Sequence, residues 1–154
     1  MRTHRLTHVV PHTPDQMFAL VADVASYPDF VPWVTSMRTW NAVEAKDGLN
    51  FIDAEASVGF AFLRERFATR VRRDPVDRVV AVDLIHGPFR RLVNEWRFGP
   101  HPQGCEISFF IEFEFKNRLL EALLDANFDR AVRKLIGCFE ARAQKLYGLS
   151  ADPA

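Results

Sequence analysis

The stretch NRLLEALLDANFDRAVRKLIGCFEARAQKLYG, residues 117–148, decides how the chain folds. Leu120, Leu124, Phe128, Val132, Leu135, Phe139 and Leu146 recur at intervals of three, four and seven, the spacing that lines up one apolar face on a helix. Asn117 is suited to cap its start and Gly148 to stop its end, so the spacing predicts one long amphipathic helix. At 1.5 Å per residue such a helix runs on the order of 40 Å. Its stripe needs an equally long apolar surface to cover it.

That surface lies upstream. From Thr35 to Phe115 the sequence alternates with period two, is rich in Val, Ile and Phe, and is punctuated by KDG, RDPVD, HGP and GPHPQG. Six strands are expected there and a seventh at the N-terminus. ISFFIEFEF shows the pattern best: Ile107, Phe109, Ile111, Phe113 and Phe115 share one face, and Ser108, Phe110, Glu112 and Glu114 the other. Leu92, Asn94, Trp96 and Phe98 likewise fall opposite Glu95 and Arg97, and Phe67 shares its face with Val71. Between the first strand and the rest, Thr13, Pro14 and Gln16 form a capping box for a helix over 14–25, and Ser26 is placed to cap a single turn over 27–31 that Pro32 ends. An antiparallel sheet of about seven strands that must cover one long helix curves around it, which gives an α+β grip and not a doubly wound fold. One domain over residues 1–148 is expected, with 149–154 as a frayed tail.

Composition narrows the function. Twenty basic and twenty acidic residues cancel, so the strong positive field typical of DNA binders is absent. Cys105 and Cys138 belong to no metal-binding spacing, which fits a reducing compartment and a cytoplasmic protein. The sequence contains no GxSxG, no glycine-rich phosphate loop and no HExxH, so no catalytic residue is assigned. His4, His8 and His12 are four apart, but exposed histidines near a chain end are the plainer reading, and no metal site is assigned. Asp53 and Glu55 share a face; an acid/base pair is the sharper reading, pairing with the arginines of the following strand the favoured one. Arg64, Arg66, Arg70, Arg72, Arg73, Arg90 and Arg91 form either a charge-balanced face or a local basic patch. Asn94, on an apolar face, either holds a polar group of a ligand or satisfies the protein itself; on the first reading, Asn94→Leu shifts ligand preference more than stability.

Four motifs together resemble one family. YPDFVPW (27–33), HGPFRRLVNEWRF (86–98), IEFEF (111–115) and FEARAQKLYG (139–148) are similar, in order and spacing, to the coenzyme Q-binding branch of the START-like, polyketide-cyclase-like superfamily. His86 departs from the acidic residue expected before GPF. The resemblance implies a helix-grip fold with a tunnel for an apolar ligand between sheet and helix. Family members resemble lipid chaperones that bind ubiquinone and support respiration, and a bacterial member of the branch is described as a ribosome-associating toxin that blocks subunit joining. On this reading Tyr27, Phe30, Pro32 and Trp33 form a lid over the tunnel mouth. Phe67, Phe89, Leu92, Asn94, Trp96, Phe109, Phe113, Phe128, Val132 and Leu135 line the tunnel. The expected ligand is ubiquinone or a similar lipid, with no other cofactor, no enzymatic activity and transient membrane contact. The alternatives are ribosome association and a cyclase-type enzyme.

Overall fold

The computed structural model describes residues 2–60 and 63–148. Seven antiparallel strands form one curved sheet in the order β1-β7-β6-β5-β4-β3-β2: β1 Arg2–Val10, β2 Val34–Glu44, β3 Asn50–Phe60, β4 Leu63–Asp74, β5 Val79–His86, β6 Phe89–His101 and β7 Gly104–Phe115. Consecutive strands from β2 to β7 pair as neighbours. β1 closes the far side by pairing along β7, from Arg2↔Phe113 to Val10↔Cys105. The alternation read in β7 holds, because Cys105, Ile107, Phe109, Phe113 and Phe115 are buried on the inner face. On the outer face Phe110 lies under the Arg5 guanidinium, 4.2 Å from ring centroid to Cζ.

The helix α1, Pro14–Ala22, starts on the expected box: Thr13 Oγ1 accepts from the Gln16 amide at 3.1 Å, and Gln16 Oε1 accepts from the Thr13 amide at 2.9 Å. It stops three residues short of the expected end. Arg73 Nη1 donates to the Ala22 carbonyl at 3.1 Å, satisfying one free end of the helix. A 3-10 segment, Val24–Asp29, follows with Pro28 inside it. Ser26 does not cap a new turn; its hydroxyl donates back to Asp23 Oδ2.

The single long C-terminal helix is corrected to two, α2 Arg118–Asp125 and α3 Phe128–Tyr147. Asn117 caps α2 through Leu119 N, as expected. The ladder breaks at Ala126 and Asn127, where the Asn127 amide donates to Leu124 O, three residues back, and Asn127 adopts φ −125°, ψ 11°. From Phe128 on, α3 buries Phe128, Val132, Ile136, Phe139 and Ala143 over the sheet. Leu146, assigned to that stripe, is half-exposed where the helix ends. The expected tail, 149–154, lies outside the described residues.

Candidate functional site

Two aromatic clusters occupy the space between α3 and the sheet. The first begins at the turn after α1. Tyr27 donates its hydroxyl to Val21 O, folding the 3-10 segment back over α1, and the Val31 amide closes the turn on Tyr27 O at 2.8 Å. Burial pushes the Tyr27 phenol above its ordinary pKa, so it stays a neutral donor. Tyr27 and Phe30 both meet Phe139 edge-on, with centroids 5.2 Å and 5.1 Å away. Below Phe139 lies Trp96 at 5.0 Å, which in turn meets Phe109 at 4.8 Å. The rings form a column from the turn, through α3, to the sheet.

The second cluster sits toward the β5–β6 hairpin. Phe89 stacks on Phe115 at 4.6 Å and meets Phe67 at 5.4 Å, while Phe113 reaches Phe128 on α3 at 4.9 Å. Gly87 explains why the hairpin carries GPF: a Cβ there would stand 2.5 Å from Phe67 Cβ, closer than any side chain tolerates. Leu92 and Val132 are buried and Leu135 is half-buried.

Most residues expected in the site therefore do gather on the inner face, but in this conformation the rings touch one another. Pro32 is exposed beside the half-buried Trp33, whose carbonyl accepts from Gly59 N at 2.9 Å. Asn94 is engaged by the protein, since its Nδ2 donates to Phe110 O and its Oδ1 accepts from Trp96 Nε1, both at 2.8 Å. One amide N–H remains for any ligand.

Open space lies on the outer flank of the first cluster. A groove of about 490 Å³ runs between the turn and α3, with Phe30, Gly137, Cys138 and Ala141 as apolar walls, Lys134, Arg142 and Lys145 as cations and Asp29 as an acid. Arg142 holds its guanidinium 5.4 Å above the Phe30 ring, and its Nε is buried with no hydrogen-bond partner. Sequence reasoning placed Phe139 on the helix stripe but outside the site, and gave no role to Arg142. Helical spacing shows which face is apolar, not which ring a turn packs on.

Asp53 is buried and accepts from Arg70 Nε on β4 at 2.9 Å and Asn41 Nδ2 at 3.0 Å; the Arg70 and Asn41 bonds hold its carboxyl below the usual range. Glu55 pairs with Arg38 on the preceding strand, not the following one. His4 and His8 reach Asp129 at 3.3 Å and Glu140 at 2.7 Å, tying β1 to α3. His12 is not exposed as expected but buried, and burial lowers its pKa. Cys105 and Cys138 are free thiols, and burial pushes Cys105 up to about 11. No helix among the described residues is long and apolar enough to cross a membrane.

A curved sheet gripping a C-terminal helix, with aromatic side chains filling the grip, defines a helix-grip protein of START-like architecture. Residues 10–140 match the family of polyketide cyclase / dehydrase and lipid transport proteins, and the chain belongs to that family. It is 32% identical over 142 residues to the ribosome association toxin RatA of Escherichia coli K12, covering 92% of this chain and 86% of that one. It is 34% identical over 143 residues to the mitochondrial coenzyme Q-binding protein COQ10 homolog B of Xenopus laevis, covering 90% of this chain and 57% of that one. The solution structure of an 18 kDa protein of Caulobacter crescentus superposes with a TM-score of 0.81 at 57% identity, over 96% of this chain and 99% of that one. An aromatase/cyclase from Streptomyces shares the fold at 20% identity and a TM-score of 0.71, over 94% of each chain.

Proposed function

We propose that this protein is a non-catalytic binder of ubiquinone or a similar isoprenoid lipid, acting in support of respiratory electron transport. The observation that carries the reading is the double position of Phe30. It packs on Phe139 at the top of the aromatic column and also walls the open groove along α3. An apolar chain that entered the groove and displaced Phe30 would meet Phe139, Trp96 and Phe109 in turn. The groove lies within the range of about 300–1,000 Å³ usual for small-molecule sites. Each methylene taken from water contributes about 0.8 kcal/mol, so apolar walls suffice for a polyprenyl tail. The free N–H of Asn94 is the polar group left for a quinone carbonyl. The relative named as coenzyme Q-binding supports the ligand class.

Ubiquinone quenches nearby indoles, and Trp96 and Trp33 lie at the column and the turn. Titration with a short-chain ubiquinone is expected to quench tryptophan emission saturably, and Phe30→Asp to abolish saturation in a variant whose melting temperature falls but which still unfolds cooperatively. Absence of saturable quenching in the folded wild-type protein contradicts the reading.

A second reading is ribosome association, favoured by the relatives named for it and by Arg64, Arg66 and Arg90, which are exposed and have no acidic partner among the described residues. Salt-sensitive co-sedimentation with ribosomal subunits, lost on replacing these arginines, would support it.

A further inference from the structure

The break between α2 and α3 creates a surface that the aromatic grip does not use. Leu119, Ala122, Leu123 and Ala126 recur at three and four residues, so they share one face of α2, and all four are exposed. Leu119 is 74% and Leu123 37% exposed, while Leu120 on the opposite side is buried. Beside the C-terminal end of α2 lies a second open pocket of about 480 Å³, walled by Arg2, Asp125, Phe128, Asp129, Arg130 and Arg133. Its acids Asp125 and Asp129 lie 3.3 Å from Arg2 and His4 respectively. Arg130 and Arg133 are exposed and have no acidic partner among the described residues, and neither has Arg118 at the start of α2. The pocket's three arginines outnumber its two acids, and exposed leucines together with this positive excess match the two layers of an anionic bilayer surface, acyl chains below and phosphates above.

We propose that α2 and the adjoining pocket dock the protein on an anionic phospholipid surface. Leu119 and Leu123 enter the acyl boundary, and Arg130 and Arg133 hold lipid phosphates. The inference deepens the lipid-binder reading by naming the surface at which ligand is collected. RNA is a poorer occupant, because its backbone and bases reward cations and stacking rings, not aliphatic side chains.

Flotation with vesicles tests this, using the purified full chain and vesicles free of quinone. The protein is expected to float with an equal mixture of phosphatidylcholine and phosphatidylglycerol and not with phosphatidylcholine alone. Leu119→Ser with Leu123→Ser should weaken partitioning by on the order of tenfold through lost apolar burial, and separately Arg130→Ala with Arg133→Ala by about 25-fold, since each basic residue near such a surface contributes about a fivefold factor. Arg130 and Arg133 are exposed, so their replacement should leave the melting temperature unchanged; replacing Leu123, only 37% exposed, should lower it by a few degrees, and Leu119→Ser alone, at 74% exposure, gives the partitioning readout without that loss. Flotation that ignores both double variants, or binding to ribosomal RNA in place of vesicles, overturns the proposal. A protein that carries quinone but does not float loses the docking surface alone; one that floats but takes up no quinone loses the lipid-binder reading alone.

Discussion

Phe30 and Phe139 meet edge to face, with ring centroids 5.1 Å apart and planes at 82°. One ring belongs to a turn with a face on open space and the other is 1% exposed at the centre of the grip. The pair is where the turn is fastened to α3. Phe139→Ala is expected to cost about 3–5 kcal/mol, because the cavity left among Tyr27, Trp96 and Phe30 cannot collapse. Phe30→Ala removes a half-buried ring and should cost roughly 1–2 kcal/mol. Urea unfolding checks both, and equal losses would show that the turn is as integral to the core as the helix.

Gly87 and Phe67 should be coupled. A methyl group at Gly87 drives against Phe67 Cβ, so Gly87→Ala is expected to destabilise by about 1–3 kcal/mol. Trimming Phe67 to Ala leaves Cβ in place, so it should rescue little, whereas Phe67→Gly should recover only part of the loss, because Gly87 holds φ +154° and the Phe67 Cα also stands 3.1 Å from the added methyl. A double-mutant cycle on melting curves checks this.

Asn94→Leu should lower stability by about 1–3 kcal/mol, since it leaves the Trp96 Nε1–H without its acceptor and removes the bond to Phe110 O. The sequence left Asn94 open between a ligand contact and a structural bond, and only the ligand reading predicts the opposite weighting, with ligand preference moving more than stability. Asn94→Asp, which keeps the acceptor for Trp96, separates the two bonds in the same denaturation assay.

His12 should give the fold an acid-sensitive component. Burial lowers its folded pKa from an ordinary 6.5, with Glu140 opposing, and Nδ1 has no partner. The unfolded chain therefore takes up the proton first as pH falls. The stabilising difference is complete above about 6.5 and is lost as pH drops below that value. Unfolding free energies measured across this range should fall less steeply in His12→Phe than in the wild type; equal slopes would contradict the assignment.

How much of this was legible beforehand differs from element to element. β7 was readable because alternation in ISFFIEFEF reports directly which face is buried. The break at Ala126 and Asn127 was hidden because Leu120, Leu124, Phe128 and Val132 keep intervals of four straight through it. Asn127 before Phe128 and Asp129 was the one local signal, a cap-forming residue inside an apparently continuous helix. Asn94 was placed on the correct face, but periodicity cannot name hydrogen-bond partners, and one of them, the Phe110 carbonyl, belongs to the neighbouring strand. The aromatic turn was flagged through family resemblance, and its anchor Phe139 required the tertiary fold. Arg142 left no trace in the pattern, because its importance comes from the Phe30 ring beneath it.

The central claim is that the grip holds an isoprenoid lipid behind Phe30, and the contents of the native protein test it most directly. The protein is purified without detergent and extracted with organic solvent, and the lipids are identified by mass spectrometry. The account predicts near-stoichiometric quinone that is lost from a folded Phe30→Asp variant. A well-folded protein that carries no lipid, and takes up none when ubiquinone is added, would contradict it.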